Sequence, residues 1–452
     1  MKYLLGTDIG TSGTKTILMN TEGKLISQDL EEYDVLTPKP LWAEQWPDVW
    51  YEATKESIRK TVEKAVNEHG VAKEDIKGIA ISGLYGGSGI PLDEEMKPIR
   101  PCMIWMDRRA QEETDWVLKN IGEEKLLEIT HNGADPYYGY TKILWMKKNE
   151  PEKFARIRKI MLPKDYLAYR LSGTFCSDYS DASGMLLMDV KNKCWSKEMM
   201  EICGISREQL PDLYESYEVV GTLKKEEAKK LGLPESVKII AGAGDNAAAA
   251  VGTGTVGEGM CNISLGTSGT IFISSRKFQV DRYNALHSFA HADGYYHLMG
   301  CMLSAASCNK WWMQDILGTS EFTKEQEKIV KLGENQVFYL PYLMGERSPH
   351  NDPHVRALFM GMSMDTTRKD MTQAVLEGVA FALRDSLEIA RQLGNTITSS
   401  RICGGGAKSK LWRKMIANIM NLRLEIVESE EGPALGAAIL AAVGCGAYPD
   451  VE

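Results

Sequence analysis

At 452 residues the chain is too long for one ordinary core and is expected to form two domains. Hydrophobic residues make up 43% and charged residues 25%, the balance of an ordinary globular protein. A net charge of −9 excludes a broad basic surface for nucleic acid or anionic membranes, so an anionic ligand must be held locally by backbone amides, a metal ion or single basic residues.

From the N-terminus, Met1–Gly6 carries one apolar pair before turning polar, too short for the core of a secretory leader. No apolar run approaches the ~18 residues of a membrane span. The nine cysteines include no Cys-x-x-Cys and cannot all pair; they read as reduced thiols of a cytoplasmic protein. Residues 3–5 and 16–19 are apolar runs around a Gly/Thr/Ser turn, with a second turn at Thr21-Glu22-Gly23-Lys24, and predict an N-terminal β-meander. Residues 48–68 place Trp50, Ala53, Ile58, Val62 and Ala65 on one side of a helix. Ile79-Ala80-Ile81 reads as a buried strand entering a glycine-rich loop at 83–89. A helix is predicted over 108–128, and 137–220 is mixed, with aromatic and methionine-rich segments.

Near residue 221 the pattern starts again. Val237–Gly242 is strand-like, Ala247–Val251 helical, and Cys261–Leu265 and Thr270–Ser274 flank another Gly/Thr/Ser turn. Helices follow at 369–393 and 408–421 among further strands. This alternation indicates an α/β protein. No Pro/Ser-rich or low-complexity linker appears, so the halves are expected to pack closely across a cleft.

The repeat carries the most information. Asp8-Ile9-Gly10-Thr11-Ser12-Gly13-Thr14 and Ser264-Leu265-Gly266-Thr267-Ser268-Gly269-Thr270 share an identical pentapeptide between strand-like runs. Gly, Ser and Thr are ordinary hairpin residues, but two identical copies about half a chain apart are more than hairpin chemistry. Glycines admit a ligand close to the backbone, and hydroxyls with amides make a nest for phosphate oxygens. Two such nests could hold a polyphosphate. Gly252-Thr253-Gly254-Thr255-Val256-Gly257 matches Gly-x-Gly-x-x-Gly, but it follows a helix and precedes a strand, the reverse of the dinucleotide-binding order. No Gly-x-x-x-x-Gly-Lys-Ser/Thr occurs, which excludes a P-loop.

Asp245, in Gly242-Ala243-Gly244-Asp245-Asn246, lies between a strand and a helix, where a carboxylate could cap the helix, accept a hydroxyl proton in phosphoryl transfer, or do both. Asp8 immediately precedes the first turn; beside a triphosphate it would hold Mg²⁺, and otherwise it caps the turn. Lys15 is either a phosphate contact or a solvated strand residue. Gly404-Gly405-Gly406-Ala407 follows a strand and opens a helix, allowing flat approach of a nucleoside.

Together these residues resemble the FGGY family of carbohydrate kinases, nearest to its xylulokinase-like members, within the superfamily of actin-like, sugar-kinase and chaperone ATPases. The resemblance covers essentially the whole chain. It includes Trp42-Ala43-Glu44-Gln45, Trp105-Met106-Asp107-Arg108-Arg109, Gly345-Glu346-Arg347-Ser348-Pro349, and the second family signature over Ala357–Glu377. It implies an α/β fold of two actin-like (ribonuclease H-like) domains with mixed sheets flanking a nucleotide cleft. The division is set at 1–245 on the sugar side and 246–452 on the nucleotide side. The implied reaction is ATP-dependent phosphorylation of a sugar or polyol hydroxyl, with a ketopentose such as D-xylulose the nearest substrate and other ketoses, polyols or sugar acids the alternatives. Asp245 is the implied catalytic base and Asp8 the implied Mg²⁺ ligand. Substrate contacts are expected from Tyr85, Gly86, Trp105, Asp107, Tyr137, Asp245 and Asn246. Gly10, Thr11, Ser12, Lys15, Gly266, Thr267, Gly405, Gly406, Ala407 and Lys410 are expected to hold ATP. No nucleic-acid or membrane partner is implied, and a homodimer is compatible with the resemblance.

One segment departs from the family: Leu84-Tyr85-Gly86-Gly87-Ser88-Gly89 stands where xylulokinase-like members carry Gln-Met-His and glycerol kinases an Arg-Glu pair. A histidine donor to sugar hydroxyls is therefore missing, and discrimination among sugars is expected to change there. The chain ends at Asp450-Val451-Glu452, where relatives usually continue with another helix. Two readings without sugar phosphorylation remain: an actin-like ATPase, or a weakly catalytic sugar sensor.

Overall fold

The first strands form where β-branched and aliphatic residues alternate with small ones. In a computed structural model, which describes residues 2–85, 87–427 and 431–452, they are β1 (Tyr3–Ile9), β2 (Gly13–Asn20) and β3 (Leu25–Glu32). Helix α1 (Pro47–His69) opens with proline at its first position and stops at Gly70, whose φ of 64° is the left-handed stop a glycine supplies. Its Trp50, Ile58, Val62 and Ala65 are buried at helical spacing. Three more strands complete the sheet: β4 (Ile76–Gly83), β5 (Val219–Thr222) and β6 (Lys238–Gly244), in the order β5-β6-β4-β1-β2-β3.

The strands near 221 and 238, where the sequence pattern starts again, join the first sheet: β6 pairs in parallel with β4, and β5 lies at the edge beside it. The helix expected over 108–128 is two helices, Gln111–Asn120 and Glu123–Thr130. Gly122, at φ 89°, breaks the run between them.

After α2 (Asp245–Gly252) a second sheet contains β7 (Cys261–Leu265), β8 (Gly269–Ser275), β9 (Tyr296–Met302), β10 (Ser399–Cys403) and β11 (Arg423–Ile426). Their order is β9-β8-β7-β10-β11. Each sheet repeats one pattern. β1 is antiparallel to β2 and parallel to β4, and β7 is antiparallel to β8 and parallel to β10. The two Gly-Thr-Ser-Gly-Thr turns occupy equivalent β1–β2 and β7–β8 connections, so the sequence repeat is a repeat of structure. Helices α3 (Arg368–Gln392) and α4 (Lys410–Met420) pack with the second sheet around a core that includes Trp312, Leu376, Val379, Trp412 and Ile416.

The chain divides into two compact units: residues 1–256, 289–295 and 431–452, and residues 257–288 and 296–430. The 245/246 division drawn from sequence falls inside the first unit, at the start of α2. The last helix, α5 (Gly432–Gly444), also belongs to that unit. It is apolar all round because it is buried between β1 and α2. Gly6 and Gly436 make this possible: a Cβ at Gly6 would lie 2.0 Å from Ala434 O, and one at Gly436 1.8 Å from Ala248 O. Among the described residues no helix is long and apolar enough to cross a membrane.

Candidate active site

In the first unit, three parallel strands end together. Asp8 of β1 is in register with Ser82 of β4, and Ser82 with Ala243 of β6. The carboxyl ends of parallel strands are where an open α/β sheet presents groups to a ligand. Ser82 Oγ donates to Asp8 Oδ1 at 3.1 Å. Two residues beyond Ala243, Asp245 is the first residue of α2, and its Oδ1 accepts the Asn246 N–H at 2.7 Å.

Burial raises Asp245 to about 6, partly offset by the Asn246 amide. Burial first, and then the charge of Asp245, raise Asp8 to about 7 against the opposing effects of Ser82 and Lys15. The two carboxylates are a half-buried acidic pair whose mutual repulsion a cation would relieve. Lys15 faces Asp8 across the β1–β2 ladder, and its ammonium is ion-paired with Glu431.

The first turn is closed by Gly10 N–H donating to Gly13 O at 2.8 Å, while the Tyr33 hydroxyl donates to Gly10 O at 2.8 Å. Ser12 is exposed on it. Trp105 Nε1 donates to Thr11 Oγ1 at 3.0 Å. The same indole stacks near Tyr137 at 6.5 Å, and the Arg108 guanidinium lies over Tyr137 at 4.7 Å. Thr11, Trp105 and Tyr137 therefore form one cluster, with the indole 42% exposed.

Asp107 lies elsewhere. Fully buried, its carboxylate accepts Ala43 N–H at 2.7 Å and Arg109 Nη2 at 2.6 Å. Arg109 in turn reaches Glu44 and stacks on Trp42 at 3.5 Å. These bonds tie the Trp42–Gln45 segment to the Trp105–Arg109 segment through Asp107, an expected substrate contact. Tyr85 turns its ring against Gly244 and Gly184, where a Cβ would come within 2.8 and 2.7 Å of it, and edge-on to Phe289 at 5.5 Å. Gly86, expected beside it, lies outside the described residues.

Sequence reasoning missed a buried charged cluster behind Asp245. Lys164 pairs with Asp165 at 2.5 Å and Asp178 at 2.8 Å, all within 1% exposure. Asp181 is fully buried too, and neither of its carboxylate oxygens has a hydrogen-bond partner among the described residues. Burial and the neighbouring carboxylates hold it well above the usual carboxylate range against the opposing pull of Lys164. Buried Lys142 donates to Tyr137 O at 2.7 Å, and burial lowers it to about 8. The available signal was Lys164-Asp165 and Asp178…Asp181 punctuating apolar stretches.

The second unit gathers the other expected residues around a cavity of 1220 Å³. Gly266, Thr267, Gly405, Gly406 and Lys410 line it, with Ser307, Asn309 and Gln326. Ala407 is buried and does not line it. Gly404 has φ 89°, and a Cβ there would meet the Leu265 backbone at 2.8 Å, whereas a Cβ on Gly405 would meet nothing within 4 Å. One glycine is needed by the fold and the other leaves the cavity floor open. Gly266 O accepts Ala306 N–H at 2.9 Å and Thr267 O accepts Ala305 N–H at 2.9 Å. Buried Glu346, through Oε1, accepts Leu303 N–H at 2.8 Å and so fixes the segment that buttresses the turn.

Like sheets repeated in two units, each presenting a phosphate-type turn, with an acidic pair at the strand ends of one, define a phosphotransferase of the carbohydrate kinase class. The chain belongs to the FGGY family of carbohydrate kinases: the family's N-terminal domain matches residues 3–252 and its C-terminal domain residues 261–445. It is 39% identical over 443 residues to the xylulose kinase of Escherichia coli (strain K12), covering 97% of this chain and 89% of that protein. Among solved structures it is similar to a crystal structure described as a xyloylose kinase from Brucella ovis. The TM-score is 0.92 at 38% identity, over 99% of this chain and 91% of that one. A gluconate kinase from Lactobacillus acidophilus superposes with a TM-score of 0.93 at 26% identity, over 100% of this chain and 90% of that one.

Proposed function

We propose that this enzyme transfers the γ-phosphoryl group of ATP to a hydroxyl of a ketopentose, D-xylulose first among the candidates, in the cytoplasm. The observation that carries the reading is the placement of Asp245 at the carboxyl end of β6, beside Asp8 and at the start of a helix. A carboxylate raised to about 6 is ionised at neutral pH yet basic enough to take a hydroxyl proton as the oxygen attacks. The similarity to xylulose kinases over nearly the full chain supports the sugar.

Asp8 would hold Mg²⁺. The donors fit a cation that keeps most of its water: one half-buried carboxylate repelled by another, and no group of three or more His, Cys, Asp or Glu among the described residues positioned to enclose a metal. When bound, the ion would neutralise charge on the nucleotide phosphates. The roles of the chain itself follow from position. Gly266, Thr267, Gly405, Gly406 and Lys410 would receive the nucleotide in the second unit's cavity, Thr11 would contact its phosphates, and Trp105 and Tyr137 would face the sugar in the first.

ADP release measured with D-xylulose, other ketoses, polyols and gluconate tests the reading. Turnover is expected to be highest with D-xylulose. A clear preference for gluconate would move the substrate to a sugar acid, and ATP hydrolysis unmoved by every sugar would overturn the kinase assignment.

A further inference from the structure

Strand β6 does not run straight to Asp245. Its pairing with β4 slips between Ile240 and Ala243, so Ala241 and Gly242 together oppose the single residue Ile81. This is a β-bulge, which re-aims whatever follows it. Gly242 has φ 76°, and a Cβ on it would lie 1.9 Å from Ile81 O, so no other residue could hold the chain there. A bulge frees backbone groups from the ladder, and each must find another partner.

Ala241 N–H finds Glu218 O at 2.9 Å, and the other partners lead to one carboxylate. Ala241 O accepts from Lys164 Nζ at 3.3 Å, and Lys164 is ion-paired to Asp178 Oδ1 at 2.8 Å. Gly242 N–H donates to Ser216 O at 3.0 Å, and the Ser216 hydroxyl donates to Asp178 Oδ2 at 2.7 Å. Gly244 N–H donates to Ser180 Oγ at 3.1 Å, and that hydroxyl donates to Asp178 Oδ2 at 2.5 Å. Asp178 is fully buried and also accepts Ser180 N–H at 2.9 Å. Three links therefore run from a single anion to residues 241, 242 and 244, the last of which precedes Asp245. A lone solvated hydrogen bond would leave the bulge free to relax. Charge-assisted bonds in a dry site are shorter and stronger.

We propose that Asp178 is a positioning residue for Asp245, acting through Lys164, Ser216 and Ser180 to fix the direction in which the Asp245 carboxylate leaves β6. The inference rests on the reading of Asp245 as the acceptor of the hydroxyl proton. It assigns a purpose to charged residues that a core built for stability alone would not carry, since apolar packing of equal volume serves stability as well or better.

Removing Asp178 would take one of its two carboxylate partners from the buried Lys164 ammonium and risks unfolding, so the test uses the serines. Ser180→Ala deletes the acceptor of Gly244 N–H, Ser216→Ala deletes the second hydroxyl, and Ser180→Thr keeps the hydroxyl. Steady-state kinetics with the sugar preferred in the screen, ATP dissociation constants and thermal melts are measured on each full-length protein, with Asp245→Asn alongside. Ser180→Ala is expected to lower kcat about ten- to hundredfold, as small misplacements of a reacting group do. Its ATP affinity and melting temperature should stay close to the parent's, and Ser180→Thr should recover most of the rate. Ser216→Ala should fall in the same direction and keep the proposal testable if Ser180→Ala folds poorly. Parent-like kcat in both alanine variants, with Asp245→Asn inactive, would overturn the positioning role and leave the acceptor reading standing. Full turnover by Asp245→Asn would remove both. Loss of melting temperature in proportion to lost activity, without recovery in Ser180→Thr, would reduce the network to a structural one.

Discussion

Trp105 donates its indole N–H to the hydroxyl of Thr11 at 3.0 Å, joining the first Gly-Thr-Ser-Gly-Thr turn to the aromatic pair Trp105–Tyr137. The turn that reads as a phosphate nest in sequence is thereby also a wall of the aromatic cluster. Trp105→Phe keeps a ring over Tyr137 and removes the donor. A net hydrogen bond of about 0.5–1.5 kcal/mol corresponds to roughly a three- to tenfold effect. The expected outcome is a rise of that size in the sugar KM with the ATP KM nearly unchanged, measured by initial rates against each substrate.

Asp245 must be ionised to accept a proton, and burial places its titration at about 6. Below that pH the carboxyl is protonated and cannot act as base; above it the rate should level. The log of kcat/KM for the sugar is expected to rise with pH through about 6 and then flatten. Asp245→Asn should lower kcat by at least about a hundredfold on the plateau above about pH 7, the scale of a general base, and by less below about pH 6 where the parent loses its base. A parent profile flat from pH 5 to 8 would contradict this assignment.

Asp8 gives a stability prediction of definite sign. Its ordinary value of 3.8 is raised to about 7 in the fold. Well below pH 4 the group is protonated folded and unfolded and costs nothing. Between about 4 and 7 the unfolded chain loses the proton while the folded chain retains it, so stability falls as pH rises. Asp8→Asn should therefore melt above the parent at pH 8, by an amount equivalent to about 1–3 kcal/mol, and together with it near pH 4. Added Mg²⁺ with nucleotide should stabilise the parent more than the variant. Differential scanning fluorimetry across pH reads both effects.

Gly404 and Gly405 should separate fold from ligand. Alanine at 404 meets the Leu265 backbone at a positive φ, so Gly404→Ala is expected to lower the melting temperature. Alanine at 405 meets nothing and projects from the cavity lining, so Gly405→Ala should fold normally and raise the ATP KM. Comparing melts with KM values for ATP and sugar tests the pair.

Much of this was legible in the residues. The strands around 3–19 and 261–275, the helices α1, α3 and α4, and the duplicated turns follow from local periodicity and glycine chemistry, which need no partner to be read. The place of Asp245 between a strand and a helix was legible from the Gly242–Asn246 spacing, although a helix cap and a proton acceptor read alike there. The bonds of Asp107 were not legible, because sequence shows a residue type and neighbours, not that Ala43 and Arg109 would donate to its oxygens. The renewed pattern near 221 did not show which sheet its strands join, because β6 reads identically in either.

The sequence by itself determined the fold class and the place of the two identical turns between strands, since these are written in short spacings. Only the tertiary structure decided that α5, near the C-terminal end of the chain, seats against Gly6 at its beginning, and that Lys164, Asp178, Ser180 and Ser216 meet behind Asp245. Both are contacts between residues far apart in the chain, chosen by which buried surfaces and which freed backbone groups find partners. Local pattern carries no record of that choice.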